Sequence, residues 1–178
     1  MECGGWRNIC PEGRGRLEDK PNIAIRRAER GDTAALAGVW HDAWHHGHAH
    51  LDPDIAAGRP LEFFEARMGS GIDRMVVAVI NGEVVGFSGW EGDGIGQVFV
   101  LPEWHGQGVA PLVLAAAEEA LRAGGHRHIW LQCREGNDRA RAFYEKHGWY
   151  VAATIEADIG HVTGRSPIPV WRMEKDLD

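Results

Sequence analysis

A chain of 178 residues is long enough to bury a full hydrophobic core and fits one domain. Hydrophobic residues make up 44% of it and charged residues 25%, as in soluble globular proteins, and 19 basic against 26 acidic side chains leave a net charge of −7. This balance disfavours nucleic acid as a partner, because no stripe of Lys or Arg is present to neutralise phosphates.

Cysteine content and hydropathy indicate a cytoplasmic protein. Cys3, Cys10 and Cys133 lack the spacing of a disulfide framework or of a zinc site. No apolar stretch approaches the roughly 18 residues of a membrane span, and the first residues lack the apolar region of a signal peptide. We therefore expect a protein of the reducing cytoplasm with no membrane partner.

The beginning of the chain differs from the rest in composition. Residues 1–21 are rich in glycine and charge without hydrophobic periodicity, which predicts a disordered extension ahead of a single domain, residues 22–178. A short strand is predicted at residues 23–25. Helices are predicted at 33–46 and 53–68, where apolar residues recur at helical spacing. The second helix is predicted to bury one face: Leu61, Phe64 and Met68.

The hydrophobic period then changes to that of strands. The β-branched runs RMVVAVI and EVVGFSGW are separated by Asn81 and Gly82, a pair typical of tight hairpin turns. A third run, IGQVFVL, follows a Gly-rich turn. An antiparallel meander of three strands is therefore predicted from about Arg74 to Leu101.

Helices and strands alternate in the remainder of the chain. A helix is predicted from the glycine stretch GQG to about Ala123, then a strand at HIWLQC, and then a helix at NDRARAFYEKHG that Asn137 caps and Gly148 ends. Two strands, near residues 150–158 and 170–175, close the chain. The first of these helices is predicted to pack through one stripe: Val109, Leu112, Val113, Ala116 and Ala120.

The order of these elements defines a fold class. The strand–helix–strand segment between Ile95 and Cys133 is a crossover, which should be right-handed and should make its two strands parallel. The other strand connections favour antiparallel pairing. We therefore predict an α/β fold with a mixed, mostly antiparallel sheet, one parallel β-α-β crossover and helices on both faces.

The stretch LPEWHGQGVAPLVL, residues 101–114, has the form of an anion site. Gly106 and Gly108 separate an apolar strand from a helix, and the first amides of a helix have no partner within it and lie at the positive end of its dipole. A Walker loop is excluded because Val109 and Ala110 follow the second glycine, and a dinucleotide fingerprint would need a glycine where the chain has proline. From the glycines alone, a plain tight turn stays equally open.

A second motif distinguishes these alternatives. NDRARAFYEKHGW resembles the N-x-x-A-x-x-F-Y-x-x-x-G-[FW] element of the GNAT-type N-acetyltransferases, and VFVLPEWHGQGVAPLVL resembles their acetyl-CoA motif. PVWRMEKDL is similar to their closing strand, so the resemblance extends over about residues 22–176. It implies that the loop binds the pyrophosphate of acetyl-CoA, the expected cosubstrate. The cofactor-binding residues that it implies are Val98, Phe99, Val100, His105, Gly106, Gln107, Gly108, Val109, Ala110, Asn137 and Tyr144.

The chain departs from the family pattern at two positions. His105 stands where the family usually has Arg or Gln, and we expect coenzyme A binding to persist but to be weaker and pH-dependent, because histidine titrates near neutrality. The Glu that the family often carries on the strand before the loop falls at Asp93 or Gly94, in a predicted turn. The identity of the general base is therefore left open.

The resemblance also implies roles in catalysis. It identifies Tyr144 as the acid that protonates the departing thiolate, although spacing alone would favour a core aromatic residue. For the base, Glu91 is ranked first, ahead of Asp93, a histidine of the first helix or a water relay. Asn137 is both a helix cap and an expected contact of the pantetheine arm. The backbone amides of Val98 to Val100 are expected to bind the thioester oxygen and to pair with pantetheine as an added strand.

The run WHDAWHHGHAH is the other unusual feature of the sequence. His41 and His45 have an i, i+4 spacing that can bind a metal, but no third ligand of obvious spacing completes a site, so no metal is expected. Family resemblance instead assigns Trp40, Trp44 and His45 to the pocket for the acetyl acceptor. That acceptor is expected to be a primary amine of a small molecule or peptide.

Three classes of function follow from these observations. The first is an acetyl-CoA-dependent N-acetyltransferase, which transfers the acetyl group directly. The second is a non-catalytic acyl-CoA sensor or interaction module of the same fold, and the third is a histidine-rich metal-binding protein. A homodimer is a further expectation, because dimers are common in the family.

Overall fold

The computed structural model describes residues 21–178, so the predicted extension, apart from its last residue, and with it Cys3 and Cys10, lies outside the described part of the chain. Within that part the helices are α1 (Thr33–His48), α2 (Pro53–Ala57), α3 (Leu61–Met68), α4 (Val109–Ala123) and α5 (Asp138–Lys146). The strands are β1 (Ala24–Arg27), β2 (Met75–Ile80), β3 (Glu83–Glu91), β4 (Gly94–Val100), β5 (His128–Arg134), β6 (Tyr150–His161) and β7 (Gly164–Asp176).

The strands form one sheet in the order β1-β2-β3-β4-β5-β7-β6. All neighbours are antiparallel except β4 and β5, which α4 connects as a parallel crossover. Between β2 and β3 the chain turns at Asn81 and Gly82, both with positive φ, as the Asn-Gly pair predicted. The mixed, mostly antiparallel sheet with one parallel crossover is thereby confirmed.

Alternation along β2 divides the core between two faces of the sheet. Val77 packs with Leu36 of α1 and Phe64 of α3 on one face. Its neighbours Val76 and Ala78 pack with α4 on the other face. Further along that second face, α4 and α5 cover β4, β5 and β7. Helices therefore lie on both faces, as predicted.

Two local predictions are wrong in detail. The helix predicted between Pro53 and Met68 is interrupted at residues 58–60, because Pro60 lacks an N–H and disfavours helical geometry in the residue before it. Leu61 then begins α3 with 40% of its surface exposed, whereas Phe63 and Phe64 are buried. In α4 the predicted stripe is rotated: Leu112 is 43% exposed. The buried face of α4 consists of Val109, Val113, Leu114, Ala117 and Leu121.

Candidate active site

The central feature of the sheet is a cleft between β4 and β5. These strands pair only at Gly94 with Trp130 and at Ile95 with Leu131, and beyond those two pairs they separate. A cavity of about 140 Å³ lies between them, lined by residues 95–100 of β4 and residues 131–134 of β5. From Gly96 onward, β4 has no paired strand on this side in the described chain. An extended ligand can therefore add to that edge by β-type pairing.

The glycine loop borders one end of the cleft. Gly106 and Gly108 have φ values of 78° and 90°, and Gly108 caps the N-terminus of the 15-residue helix α4. This left-handed conformation is accessible to glycine and strained for other residues. A cavity of about 430 Å³ separates the loop from α5, whose Arg139 and Lys146 contribute positive charge to its wall. Free helix amides, the helix dipole and two cations together favour a phosphate group.

Most of the predicted cofactor-binding residues line these two cavities. Four of them, Val98, Val100, His105 and Tyr144, belong to both. Gln107 is the exception, because its side-chain amide donates to the Glu103 carbonyl at 2.8 Å and it lines neither cavity. Asn137 caps α5, as predicted, with its side-chain oxygen accepting from the Ala140 amide at 3.2 Å, and it also lines the cleft.

His105 forms a bridge between the glycine loop and α5. Its Nε2–H donates to the Val100 carbonyl at 3.0 Å, and its Nδ1 accepts from the guanidinium of Arg139 at 2.8 Å. Burial and then the charges of Arg139 and His46 lower the pKa of His105. The imidazole is therefore mainly neutral at physiological pH, and the direction of the shift moves its titration to lower pH than that of an ordinary histidine. This geometry supports a positioning role for His105, which holds Arg139 beside the cavity between the glycine loop and α5, which we call the phosphate cavity.

Tyr144 projects from α5 into the region where the cleft and the phosphate cavity meet. Its ring packs against Phe143 and Trp149, with centroid distances of 5.2 and 6.2 Å. Burial, with a smaller effect of Cys133, raises the pKa of the Tyr144 hydroxyl well above its usual value. The hydroxyl is therefore protonated at neutral pH and can act as a proton donor.

Neither predicted carboxylate base lines the cleft beside Tyr144. Glu91 ends β3 with its side chain 90% exposed and 3.8 Å from Arg74, on the wall of a separate cavity that also contains Trp90. The Asp93 carboxylate accepts a 2.8 Å hydrogen bond from the Trp130 indole, which is the main reason that its pKa is lowered. Both stay predictions, but a lowered pKa makes Asp93 a weaker base.

His48, at the end of α1, does line the cleft. Its Nδ1–H donates to the Trp44 carbonyl at 3.0 Å, and its ring stacks on the Trp44 ring with the centroids 5.1 Å apart. The other ring nitrogen, Nε2, has no hydrogen-bond partner among the described residues. Burial lowers the pKa of His48, so the ring is neutral at pH 7. The sequence indicated a histidine of this helix as one of the candidates for the base. Which histidine faces the cleft depends on how α1 packs against the sheet.

The side of the cleft towards α1 opens into a further cavity, of about 250 Å³. Trp40 and Trp44, the two tryptophans assigned from the sequence to an acceptor pocket, line this cavity together with Phe99, Trp130 and Arg59. His45 does not line it; its Nε2 bonds to the Arg59 carbonyl at 2.8 Å and so supports the cavity wall. The cavity and the cleft share six lining residues: His48, Ile95, Gly96, Phe99, Gln132 and Arg134.

Two histidines of the histidine-rich run contact each other and a neighbouring acid. The rings of His41 and His45 lie 4.5 Å apart, and His41 bonds to Asp42 at 2.7 Å. In residues 21–178, no three His, Cys, Asp or Glu side chains come close enough together to bind a metal ion. Over the same range, no helix has both the length and the hydropathy needed to cross a bilayer.

Comparisons with known proteins identify the class to which this site belongs. The model of the acetyltransferase (GNAT) family matches residues 40–149, which is more than half of the chain. An acetyltransferase of Pectobacterium atrosepticum is 34% identical over 87 residues, or 46% of this chain; the matched stretch spans 61% of that relative's length. The chain belongs to the GNAT family of acetyltransferases, and acetyl-CoA is the acetyl donor that this membership implies.

Solved structures agree on the fold. The GCN5-related N-acetyltransferase from Rhodopseudomonas palustris superimposes with a TM-score of 0.70 at 20% identity, covering 91% of this chain and 99% of its own. The PaiA N-acetyltransferase of Thermoplasma acidophilum, in complex with coenzyme A, superimposes with a TM-score of 0.69 at 18% identity, covering 88% of this chain and 99% of its own. YncA of Salmonella typhimurium, with acetyl-CoA, superimposes with a TM-score of 0.67 at 20% identity, covering 88% of this chain and 95% of its own. At these identities the likeness shows the fold.

Proposed function

We propose that the protein is an N-acetyltransferase that moves the acetyl group of acetyl-CoA directly to a primary amine of a small molecule or peptide. The observation that carries this proposal is one continuous cleft with the glycine loop and the N-terminus of α4 at one end and an aromatic cavity at the other. Tyr144 and His48 line the same cleft, so an acid and a base are available between the two ends. The two relatives with coenzyme A and acetyl-CoA support the choice of cosubstrate.

The cosubstrate is proposed to occupy the cleft in an extended form. Its pyrophosphate would accept hydrogen bonds from the loop amides around Gly106 and Gly108, with Arg139 and Lys146 supplying charge. Its pantetheine arm would pair with the open edge of β4 between Val98 and Val100. An amide of the same segment would then donate to the thioester oxygen as charge develops on it.

Acetyl transfer to an amine needs a neutral nucleophile. A lysine-like amine with a pKa of about 10.4 is neutral in only about one molecule in 2,500 at pH 7, which costs about 4.6 kcal/mol. We assign the base to His48, because its free Nε2 lines the cleft. The amine loses its ammonium proton to solvent, and as its nitrogen then bonds to the thioester carbonyl carbon it gives a second proton to His48. As the carbon–sulfur bond breaks, the thiolate takes the Tyr144 proton, and the proton held by His48 returns to Tyr144 through solvent, which resets both groups.

Direct transfer is favoured over an acetyl-cysteine intermediate. Cys133 is only 4% exposed, and burial raises the pKa of its thiol to about 12. The thiolate that would attack acetyl-CoA is therefore scarce at neutral pH.

The proposal is tested by measuring release of the coenzyme A thiol from acetyl-CoA with a panel of primary amines. We expect release that depends on the amine, and a product whose acetyl group survives hydroxylamine, since amides resist this reagent and esters do not. Release without an amine, or a product that hydroxylamine cleaves, would contradict N-acetylation. Tight binding of acetyl-CoA without turnover would favour the sensor alternative.

Replacing His48 with Gln is expected to lower kcat/KM about 10²- to 10⁴-fold, the range for loss of a general base. His48 works as a base only when neutral. The wild-type rate should therefore fall as pH drops through its lowered pKa, below about 6.5, and the variant should lose that limb. Steady-state kinetics across pH 5 to 9 checks both effects.

The matched control for this variant is His50→Gln, which changes an exposed histidine two residues away. It should leave the rate and the pH profile as they are in the wild type. An unchanged rate in the His48 variant would assign the proton to another group, with Glu91 next in order.

A further inference from the structure

Arg59 is a buried cation without a bonded carboxylate. The residue lies between α2 and α3, and only 7% of its surface is exposed. Its guanidinium is held between two aromatic rings, 4.4 Å from the centroid of Trp44 and 4.9 Å from that of Phe63, and its Nε donates to the Gly160 carbonyl at 2.7 Å. Its other two nitrogens bond to none of the residues 21–178.

Burial of such a charge is unfavourable unless something compensates it. A buried ion without a partner costs several kcal/mol, so buried arginines are normally paired. Arg134, on the same cavity wall, follows that rule and bonds both oxygens of Asp52 at 2.8 Å. Both Asp52 oxygens are engaged by Arg134, so Asp52 acts on Arg59 only through its charge, and Arg59 has no bonded acid of its own. The two free nitrogens of Arg59 form a planar fork that matches a carboxylate.

The same cavity contains a second unpaired donor. The indole Nε1 of Trp40 is buried and has no hydrogen-bond partner in the described chain. Trp40 lines the cavity with Arg59, and it also lines the neighbouring one, where Nε of Arg74 is likewise buried without a partner. In the cavity lined by Arg59, the groups without a protein partner are the two remaining nitrogens of Arg59 and the Trp40 indole, and all of them are N–H donors. A ligand that completes them must therefore bring hydrogen-bond acceptors, and a negative charge suits the arginine.

The rest of the cavity wall specifies the body of that ligand. Apart from the arginines, His48, Gly96 and Gln132, it is apolar: Trp40, Trp44, Ile95, Phe99, Trp130, Ile159, Ile168 and Val170. A volume of about 250 Å³ accommodates a small molecule. The cavity is continuous with the cleft through shared residues that include His48, so an amine on such a molecule can approach the thioester.

We propose that Arg59 binds the carboxylate of the acetyl acceptor, and that the acceptor is an amino acid with an apolar or aromatic side chain. The carboxylate would receive hydrogen bonds from the Arg59 fork and the Trp40 indole. The apolar side chain would lie against the aromatic wall, and the amine would point into the cleft. This inference rests on the proposed function, because it names the substrate class of that same site.

The first test compares each amino acid with its own primary amide in the thiol-release assay. Phenylalanine, leucine and tryptophan, each paired with its amide, keep the amine and side chain constant while the negative charge is removed. We expect kcat/KM about 10- to 100-fold higher for the acid, the range for a hydrogen-bonded charge. Amidation lowers the pKa of the amine and supplies more of the neutral form, so this preference would run against intrinsic reactivity.

Arg59→Gln should raise KM for the acids about 10- to 100-fold with kcat nearly unchanged, and should leave the amides unaffected. Arg59→Lys keeps the charge without the planar fork, and its KM for the acids is expected to lie between those of the wild type and Arg59→Gln. Arg127→Gln changes an exposed arginine before β5 and is the matched control. Thermal unfolding and coenzyme A binding show whether each variant folds. The comparison of acids with amides uses the wild type alone, so it tests the proposal even if a variant does not fold.

The outcomes separate this inference from the proposed function. Equal turnover of acids and amides would overturn the carboxylate site and leave N-acetylation in place. Absence of turnover, with calorimetric binding of an N-acetylated amino acid that Arg59→Gln abolishes, would support the site and overturn the proposed reaction. Absence of both turnover and such binding would overturn the two together.

Discussion

Replacing Tyr144 with Phe is expected to lower kcat about 10²- to 10⁴-fold while the affinity for coenzyme A stays close to that of the wild type. The change removes only the hydroxyl and keeps the ring against Phe143 and Trp149. Without that proton donor the thiolate must leave unprotonated, which raises the barrier to collapse of the tetrahedral intermediate. Steady-state kinetics together with calorimetric titration of coenzyme A checks the two expectations separately.

The chain provides a matched control in Tyr150, its other tyrosine, which is 46% exposed at the start of β6. Tyr150→Phe should leave both kcat and coenzyme A affinity unaltered. If Tyr144→Phe also turned over normally, the acid would be water or another group. The hydroxyl would then have no role in the reaction, although the acetyltransferase fold would stand.

Gly108→Ala is expected to weaken coenzyme A binding at least about tenfold and to lower the free energy of unfolding by about 1–2 kcal/mol. An alanine at a φ of 90° adopts a left-handed conformation with that energetic cost. A Cβ at Gly108 meets no atom within 4 Å, so it would project into open space beside the loop where the phosphate is proposed to bind. Chemical denaturation and calorimetric titration with coenzyme A measure the two effects.

Gly38→Ala is the matched control, and its expected change in the free energy of unfolding has the opposite sign. Gly38 lies inside α1, has no positive φ, and a Cβ there also meets no atom within 4 Å. The same substitution should therefore stabilise the protein by about 0.4–1 kcal/mol and leave coenzyme A binding alone. Equal effects of the two substitutions would contradict a special role for the loop.

The sequence predicted the features of the fold that depend on local chemistry. The Asn81-Gly82 pair fixed the first hairpin, and the glycines after β4 marked the start of α4. The break near Pro60 was missed because the hydrophobic spacing continues through it. Helix faces were predicted only approximately: α4 packs across several strands at once, and its buried stripe is rotated from the predicted one towards Leu114, Ala117 and Leu121.

The candidate site was predictable only in part. The motifs around the glycine loop and α5 identified the cofactor cavity, because their residues are close in sequence. Arg59 was not anticipated: its contacts come from α1, α3 and, 101 residues away, Gly160. His48 likewise differs from its neighbouring histidines only in where α1 meets the sheet. Burial of a charged or titratable group in a cavity is a tertiary property that no local spacing encodes.

Thermal unfolding of the full chain with acetyl-CoA, coenzyme A, ATP, NAD or no addition tests the central claim most directly. A ligand at 100 times its dissociation constant stabilises the folded state by about 2.7 kcal/mol, worth about 5–10 °C for a domain of this size. We predict such a rise with acetyl-CoA and coenzyme A and none with ATP or NAD. No shift with either coenzyme A species at millimolar concentration would contradict the proposed binding of acetyl-CoA in the cleft.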